Sequence, residues 1–185
     1  SGYHLTIVAG VAHGDPAEGG EIYASSRIRE YLRAGKPRPA ADRLGRWWEI
    51  SGLVLPGDQR GRHMGFPTAN IALNDYLEPV LGVYAVRIAI GDEKIETWYG
   101  GVANLGHRPT FDGKHTLLEV HIFDFDQDIY GQNIRVAFLD FLRPERKFDD
   151  LDALKAQIKT DCEDAHAILV SSEYSNDRFP LRPGQ

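Results

Sequence analysis

Residues 82–90 alternate strictly. Val83, Ala85 and Arg87 share one face, and Tyr84, Val86, Ile88 and Ile90 share the other. That period of two is the side-chain geometry of a β-strand. Residues 48–55 alternate in the same way and predict another strand. Gly91-Asp92 is a hairpin signal, with a return strand expected over 94–101. Residues 116–124 and 133–142 complete a set of short strands at regular spacing, the pattern of an antiparallel barrel or sandwich. The period then changes: Leu151, Leu154, Ile158, Cys162, Ala165 and Leu169 recur at helical spacing, after Asp149 or Asp150 as cap.

The N-terminal part reads differently. Residues 4–9 predict a short strand and 10–20 a glycine-rich loop that also carries Asp15 and Pro16. Ser25 and Ser26 cap a helix over 27–34, which Gly35 ends. Pro37 and Pro39 mark a linker or a new helix start, and 40–44 a single helical turn. One strand and one helix bury too little surface to stand alone. This segment therefore docks on the strands C-terminal to it or belongs to a further domain. Residues 171–185 carry serine, asparagine, proline and glycine and are expected to form a flexible tail.

At 185 residues and 42% hydrophobic composition, the chain is long enough for one well-buried domain. The only cysteine, Cys162, excludes an internal disulfide framework, and no Cys/His group has zinc spacing. No signal peptide and no membrane-length apolar run are read, so a cytoplasmic setting is expected. The formal net charge of −6 argues against a general nucleic-acid binder. Arginines nevertheless dominate residues 27–62, while 124–128 and 149–164 are acidic. That asymmetry suits a small anionic ligand.

The stretch 52–70 carries the first candidate chemistry. Gly57, Gly61 and Gly65 recur at every fourth position with Arg60 and Arg62 interleaved, and Pro67, Thr68, Ala69 and Asn70 come next. Glycines let a ligand approach the main chain, whose N–H groups can form an anion site beside arginine donors. Pro67 fixes the backbone, so Thr68 and Asn70 leave an extended segment on one face as hard oxygen donors of the kind Mg²⁺ accepts. The plain alternative is a glycine-rich hairpin with solvated arginines. No Walker loop and no Gly-x-Gly-x-x-Gly motif is present. In residues 117–123, Glu119 and His121 share a face opposite Leu118, Val120 and Ile122. A strand glutamate is ordinarily a solvated outward residue. Here it stands among three unusual segments, read as loops: 104–111, the acidic turn 124–131, and 142–148. The acidic turn lacks EF-hand spacing, and His107 and His121 read as ordinary histidines.

Together these segments carry a resemblance. Residues 57–70, Gly82-Val83-Tyr84, Asn104-x-Gly106-x-x-Pro109-Thr110-Phe111, Glu119-x-His121-Ile122, Tyr130-Gly131 and Phe141-Leu142-Arg143-x-Glu145-x-Lys147-Phe148 come in the order of the riboflavin kinase motifs, which they resemble. The helix carrying Asp161 keeps the same order. The resemblance covers roughly residues 45–169. It implies a mainly β fold: a six-stranded antiparallel Greek-key barrel with a long C-terminal helix, here with a short N-terminal strand-helix extension. It also implies transfer of the γ-phosphoryl group of ATP to the 5′-hydroxyl of riboflavin, giving FMN and ADP.

By the same resemblance, Thr68 and Asn70 bind Mg²⁺ and the phosphates, with Gly57, Gly61, Arg62, Gly65, Pro67 and Asn104 on the ATP side. Glu119 matches the catalytic carboxylate. Arg143, Glu145 and Phe148 are the flavin-side candidates, and Thr110 shapes the nucleotide side. Ser25-Ser26-Arg27-Ile28-Arg29, Leu32-x-x-Gly35 and Leu44-Gly45-Arg46 resemble the end of the FMN adenylyltransferase module of bacterial FAD synthetases, with serine where threonine is usual. The early nucleotide motif of that module is absent, so FAD synthesis is not expected from these residues. The division expected is a remnant of that module and linker over 1–44, a kinase over 45–170 and a tail over 171–185, with the adenylyltransferase in cis in the full-length protein. Expected ligands are riboflavin, FMN, ATP and ADP, without nucleic acid or membrane. Two other classes stand beside this one. A non-catalytic flavin-binding barrel would lack Thr68 or Glu119. A nucleic-acid-binding barrel would carry a basic, aromatic face.

Overall fold

A computed structural model describes residues 25–57, 61, 64–73, 76–91, 97–110, 113–171 and 174, with the side chains of 109–110 and 113–115 left out. The elements are α1 (Ser25–Arg33), α2 (Pro37–Leu44), β1 (Trp48–Leu53), β2 (Ala69–Ala72), β3 (Gly82–Ile90), β4 (Thr97–Thr110), β5 (Gly113–Ile122), β6 (Asn133–Arg143) and α3 (Leu151–Val170). The expected strand over 4–9 lies outside the described residues.

Among the described residues the strands form one antiparallel sheet, ordered β1-β6-β3-β4-β5-β2. Its two edges meet at a bridge between Leu55 and Asn70, whose backbone hydrogen bond is 2.8 Å, so the sheet curls toward closure. The alternation read along β3 is realised. Tyr84, Val86 and Ile88 fill the interior with Ile71, Leu105, Leu118, Val120 and Phe138. Val83 and Ala85 face outward and pack with Val102 against Ala165 of α3. Burial of these apolar side chains drives the curl, because the inner face is otherwise left to water. The Tyr84 hydroxyl donates to the Val80 carbonyl, and burial raises its pKa.

Several boundaries differ from expectation. The segment 104–111 is expected as a loop on its glycine and proline. Residues 104–110 instead extend β4, because residues 101–110 of β4 pair with 113–122 of β5 along one ladder. A continuous ladder that pairs backbone groups overrides weak local propensity. The strand expected over 94–101 is accordingly the first part of β4, with 94–96 outside the described residues. Regular pairing of β1 stops at Leu53, and Leu55 takes part only in the isolated bridge. α2 starts at Pro37, the helix-start alternative of the two readings of Pro37 and Pro39, with proline in the first turn, where no intrahelical N–H is needed.

The N-terminal helices dock on the barrel. Leu32, Ala40 and Ala41 are buried, and the Leu32 carbonyl accepts from the Val80 N–H at 3.1 Å. α3 is capped by Asp150, whose carboxylate accepts from the Ala153 N–H at 2.7 Å. The helical stripe is incomplete, because Leu151 is exposed. Among the described residues of the expected flexible tail, Tyr174 is anchored. Tyr174 is buried, its ring stacks on Trp47 at 6.0 Å between centroids, and its hydroxyl donates to Asp140.

Candidate active site

The phosphate-side candidates converge just before β2. Gly65 has φ +87°, a conformation that needs glycine here, and it turns the chain into Phe66 and Pro67. The Phe66 N–H returns to the Gly61 carbonyl at 2.8 Å. A Cβ at Gly61 would lie 2.3 Å from the Phe66 carbonyl oxygen and 3.4 Å from Thr68 Oγ1. One at Gly57 would lie 2.0 Å from Asn70 Nδ2. The two glycines therefore form a cradle around Thr68 and Asn70 that any side chain would fill. A hydroxyl and an amide oxygen in such a cradle fit a magnesium ion, which keeps waters and phosphate oxygens among its ligands. Thr68 and Asn70 also line a cavity of about 340 Å³, with Pro67, Val54 and the turn residues Phe125, Asp126, Gln127, Asp128 and Tyr130. That volume suits a small ligand.

The sheet register joins this corner to the other candidates. Asn70 of β2 is the direct partner of Glu119 of β5, and Glu119 that of Asn104 of β4. The row continues through Val83 of β3 to Arg143 of β6. Interior positions flank this row, among them Ile71, Leu118, Val120, Ala103 and Leu105. The row itself must therefore face outward. Glu119 is ion-paired with Arg108 farther along β4. Glu145 reaches back over β4 and accepts from Asn104 Nδ2 at 3.1 Å. A Cβ at Gly106 would lie 2.2 Å from the Glu145 carboxylate, so Gly106 keeps that approach open.

Arg143 is held on its other side. Its Nε and Nη2 donate to the two oxygens of Asp161 at 2.8 and 2.7 Å, and Asp161 is 3% exposed. Gln157 Nε2 donates to Asp161 Oδ1 at 2.8 Å, and Arg146 donates to Gln157 Oε1. The Phe148 ring lies beneath Arg146 at 4.7 Å and beneath Arg143 at 5.9 Å. A guanidinium fork matches a carboxylate in this bidentate way. The network ties residues 143–148 to the α3 surface beside the site.

Gly57, Gly61, Gly65, Pro67, Thr68 and Asn70 thus gather at one corner. Glu119 and Asn104 lie beside it in the row, Glu145 reaches Asn104, and Arg143 and Phe148 lie at the far end. Arg62 lies outside the described residues, as does the Thr110 side chain. Sequence reasoning missed Arg108 as the partner of Glu119 and the cavity wall formed by 125–130. Arg108 gave no signal, since only the β4–β5 register brings it near. The acidic turn stood out by composition, but its neighbour Thr68 is remote in sequence.

The family model "Flavokinase: Riboflavin kinase" matches residues 44–169. A bifunctional riboflavin kinase/FMN adenylyltransferase from Haemophilus influenzae is 45% identical over 148 residues, covering 80% of this chain and 47% of its own. The Bacillus subtilis protein of that name is 42% identical, covering 77% and 45%. The chain spans about half the length of these curated relatives. Among solved structures, a chain described as a macrolide-efflux protein from Streptococcus pneumoniae has a TM-score of 0.70 at 40% identity, covering 83% of this chain and 48% of its own. Riboflavin kinase from Trypanosoma brucei has a TM-score of 0.51 at 23% identity, covering 69% of this chain and 83% of its own, a likeness of fold. No helix among the described residues is long and apolar enough to cross a membrane. With the family match over 44–169 and the site row in register, this chain belongs to the riboflavin kinase family.

Proposed function

We propose that this chain transfers the γ-phosphoryl group of ATP to the 5′-hydroxyl of riboflavin, yielding FMN and ADP. The observation that carries the proposal is the cross-strand row of Asn70, Glu119 and Asn104 beside the glycine cradle. Phosphoryl transfer needs positioning and charge neutralisation more than covalent work by the protein. Gly57, Gly61, Arg62, Gly65 and Pro67 surround the phosphates in this reading, Asn104 belongs to the same ATP side, and Thr68 and Asn70 hold Mg²⁺. When bound, that ion neutralises phosphate charge. Glu119, next to Asn70 in the row, accepts the proton of the attacking hydroxyl. Arg143, Glu145 and Phe148 border the flavin, with Arg143 fixed by Asp161.

Residues 45–170 make up the kinase in this reading, and 1–44 are the end of an adenylyltransferase module that stands in cis in the full-length protein. The reaction belongs in the cytoplasm, without nucleic-acid or membrane partners. Incubating the chain with ATP, Mg²⁺ and riboflavin and separating flavins by chromatography tests the whole reading. FMN without FAD is expected. Absence of FMN removes the kinase, and FAD made from FMN and ATP overturns the restriction to the first step.

A further inference from the structure

We propose that His121 is a positioning residue for the phosphate corner: its Nδ1–H holds the Pro67 carbonyl and thereby fixes Thr68 beside Asn70. The backbone pairing of β2 with β5 ends at Ala69 and Val120. Thr68, immediately before Ala69, has no ladder partner in that register. The next residue of β5 is His121, and its side chain continues the attachment where the main chain stops. His121 Nδ1 lies 2.9 Å from the Pro67 oxygen. A proline carbonyl can only accept, so Nδ1 carries the hydrogen. The imidazole also meets the Phe66 ring edge-to-face, with centroids 5.5 Å apart, and is itself backed by Phe123 at 5.8 Å.

His121 therefore grips the two residues that precede Thr68, one by its ring and one by its carbonyl. Gly65 at φ +87° supplies the bend on the other side of the same pair. Among the described residues, the Phe66 N–H bond to Gly61 is a backbone tie that this short segment keeps once the histidine is removed. Glu119, two residues earlier on β5, shares the outward face with His121. One strand thus presents the proposed base and, one step along, the group that holds the proposed metal-side hydroxyl in place. This inference deepens the ATP-side reading and rests on it.

The test uses the full chain with His121→Ala, His121→Asn and His121→Gln. Asparagine returns an N–H at the position of Nδ1, whereas glutamine returns one at the position of Nε2. Two readouts are taken: hydrogen exchange of the peptide covering 64–70 without nucleotide, and calorimetric binding of Mg·ADP. The alanine variant should exchange faster there and bind Mg·ADP about three- to tenfold more weakly, the usual net worth of one hydrogen bond. Riboflavin binding should stay unchanged. Asparagine should restore both properties and glutamine neither. An alanine variant indistinguishable from wild type overturns the proposal, as does equal behaviour of asparagine and glutamine. If the alanine variant does not fold, the comparison of asparagine with glutamine decides alone. Failure of the underlying ATP-side reading has its own signature: the wild-type chain then shows no affinity for Mg·ADP, which overturns both.

Discussion

Asn70 and Glu119 face each other directly across β2 and β5, so the proposed metal-side amide and the proposed base are nearest cross-strand neighbours. Directly opposed side chains on one face stand about 5 Å apart at Cβ. Glu119→Gln keeps size and strand packing but removes the capacity to accept a proton. Turnover should fall by about 10²–10⁴-fold, while riboflavin and ATP binding change far less, because the amide oxygen still accepts. Turnover and flavin-fluorescence titration on the same variant check this. Near-normal turnover would sink the catalytic role.

On the phosphate side, Thr68→Ala removes a hydroxyl from the cradle and Asn70→Asp adds charge to it. Both should weaken use of Mg·ATP and change the Mg²⁺ dependence of the rate while the barrel stays folded. Gly57→Ala makes a separate demand. Its Cβ would lie 2.0 Å from Asn70 Nδ2, so the buried amide must move. A raised KM for ATP with a nearly unchanged melting temperature is expected, and kinetics as a function of ATP and Mg²⁺ measure it. Variants that leave those titrations untouched would remove the metal assignment.

The Arg143–Asp161 pair joins the end of β6 to the middle of α3. Asp161 is buried and Arg143 partly so, and removing one member of a buried pair strands the other charge at about 3–5 kcal/mol, of which the partial exposure of Arg143 selects the lower end. Asp161→Ala should therefore lower stability in urea unfolding by roughly that amount and also raise KM for riboflavin, since residues 143–148 lose their anchor. A variant with unchanged unfolding midpoint would show that the pair holds nothing.

Cys162 gives a pH prediction. Burial pushes its thiol from 9.0 up to about 11, and the carboxylates of Asp161 and Glu163 push the same way. Below pH 9 the thiol is protonated in both folded and unfolded chains, so this contribution to stability is fully present. As pH rises from 9 toward 11 the unfolded chain releases its proton first, and the contribution is lost. Stability should fall across that window, and Cys162→Ser should lessen the fall. Burial also raises the pKa of Tyr84 and Tyr174, and they add a decline of the same sign that the variant leaves intact. Denaturant unfolding at stepped pH, wild type against variant, isolates the thiol. Identical slopes would rule out its part.

Much of the fold is legible along the chain. β3 appears with its boundaries and both of its faces, because an apolar run bounded by Gly82 and Gly91 marks a strand buried on two sides, and strand side chains alternate between faces whatever their polarity. The cap of α3 narrows to Asp149 or Asp150 because capping chemistry is local, and the geometry selects Asp150. Residues 104–110 mislead for the opposite reason. Gly106 and Pro109 look like loop residues, and only β5 alongside makes them a strand. Gly106 is glycine because Glu145 arrives from another part of the chain. Leu151 fits the helical stripe but is exposed, since periodicity says nothing about where a helix outruns the surface that covers it.

The sequence by itself determined most of the parts: the strands other than β2 and the second half of β4, the inward faces of β3 and β5, the glycine loop with Thr68 and Asn70, the face that Glu119 shares with His121, and the motifs that carry the family resemblance. The strands, their faces and the loop come from local backbone preference and from the side-chain period, and the family comes from the resemblance of the ordered motifs. The tertiary structure alone decided the pairings. Strand register set Asn70 against Glu119 and Glu119 against Asn104, ion-paired Arg108 with Glu119, and brought His121 to the Pro67 carbonyl. It also committed Arg143 to Asp161 rather than leaving it free. Register and helix docking are settled by burial of the whole inner face at once, and a shift of one residue would turn every one of these side chains to the other side.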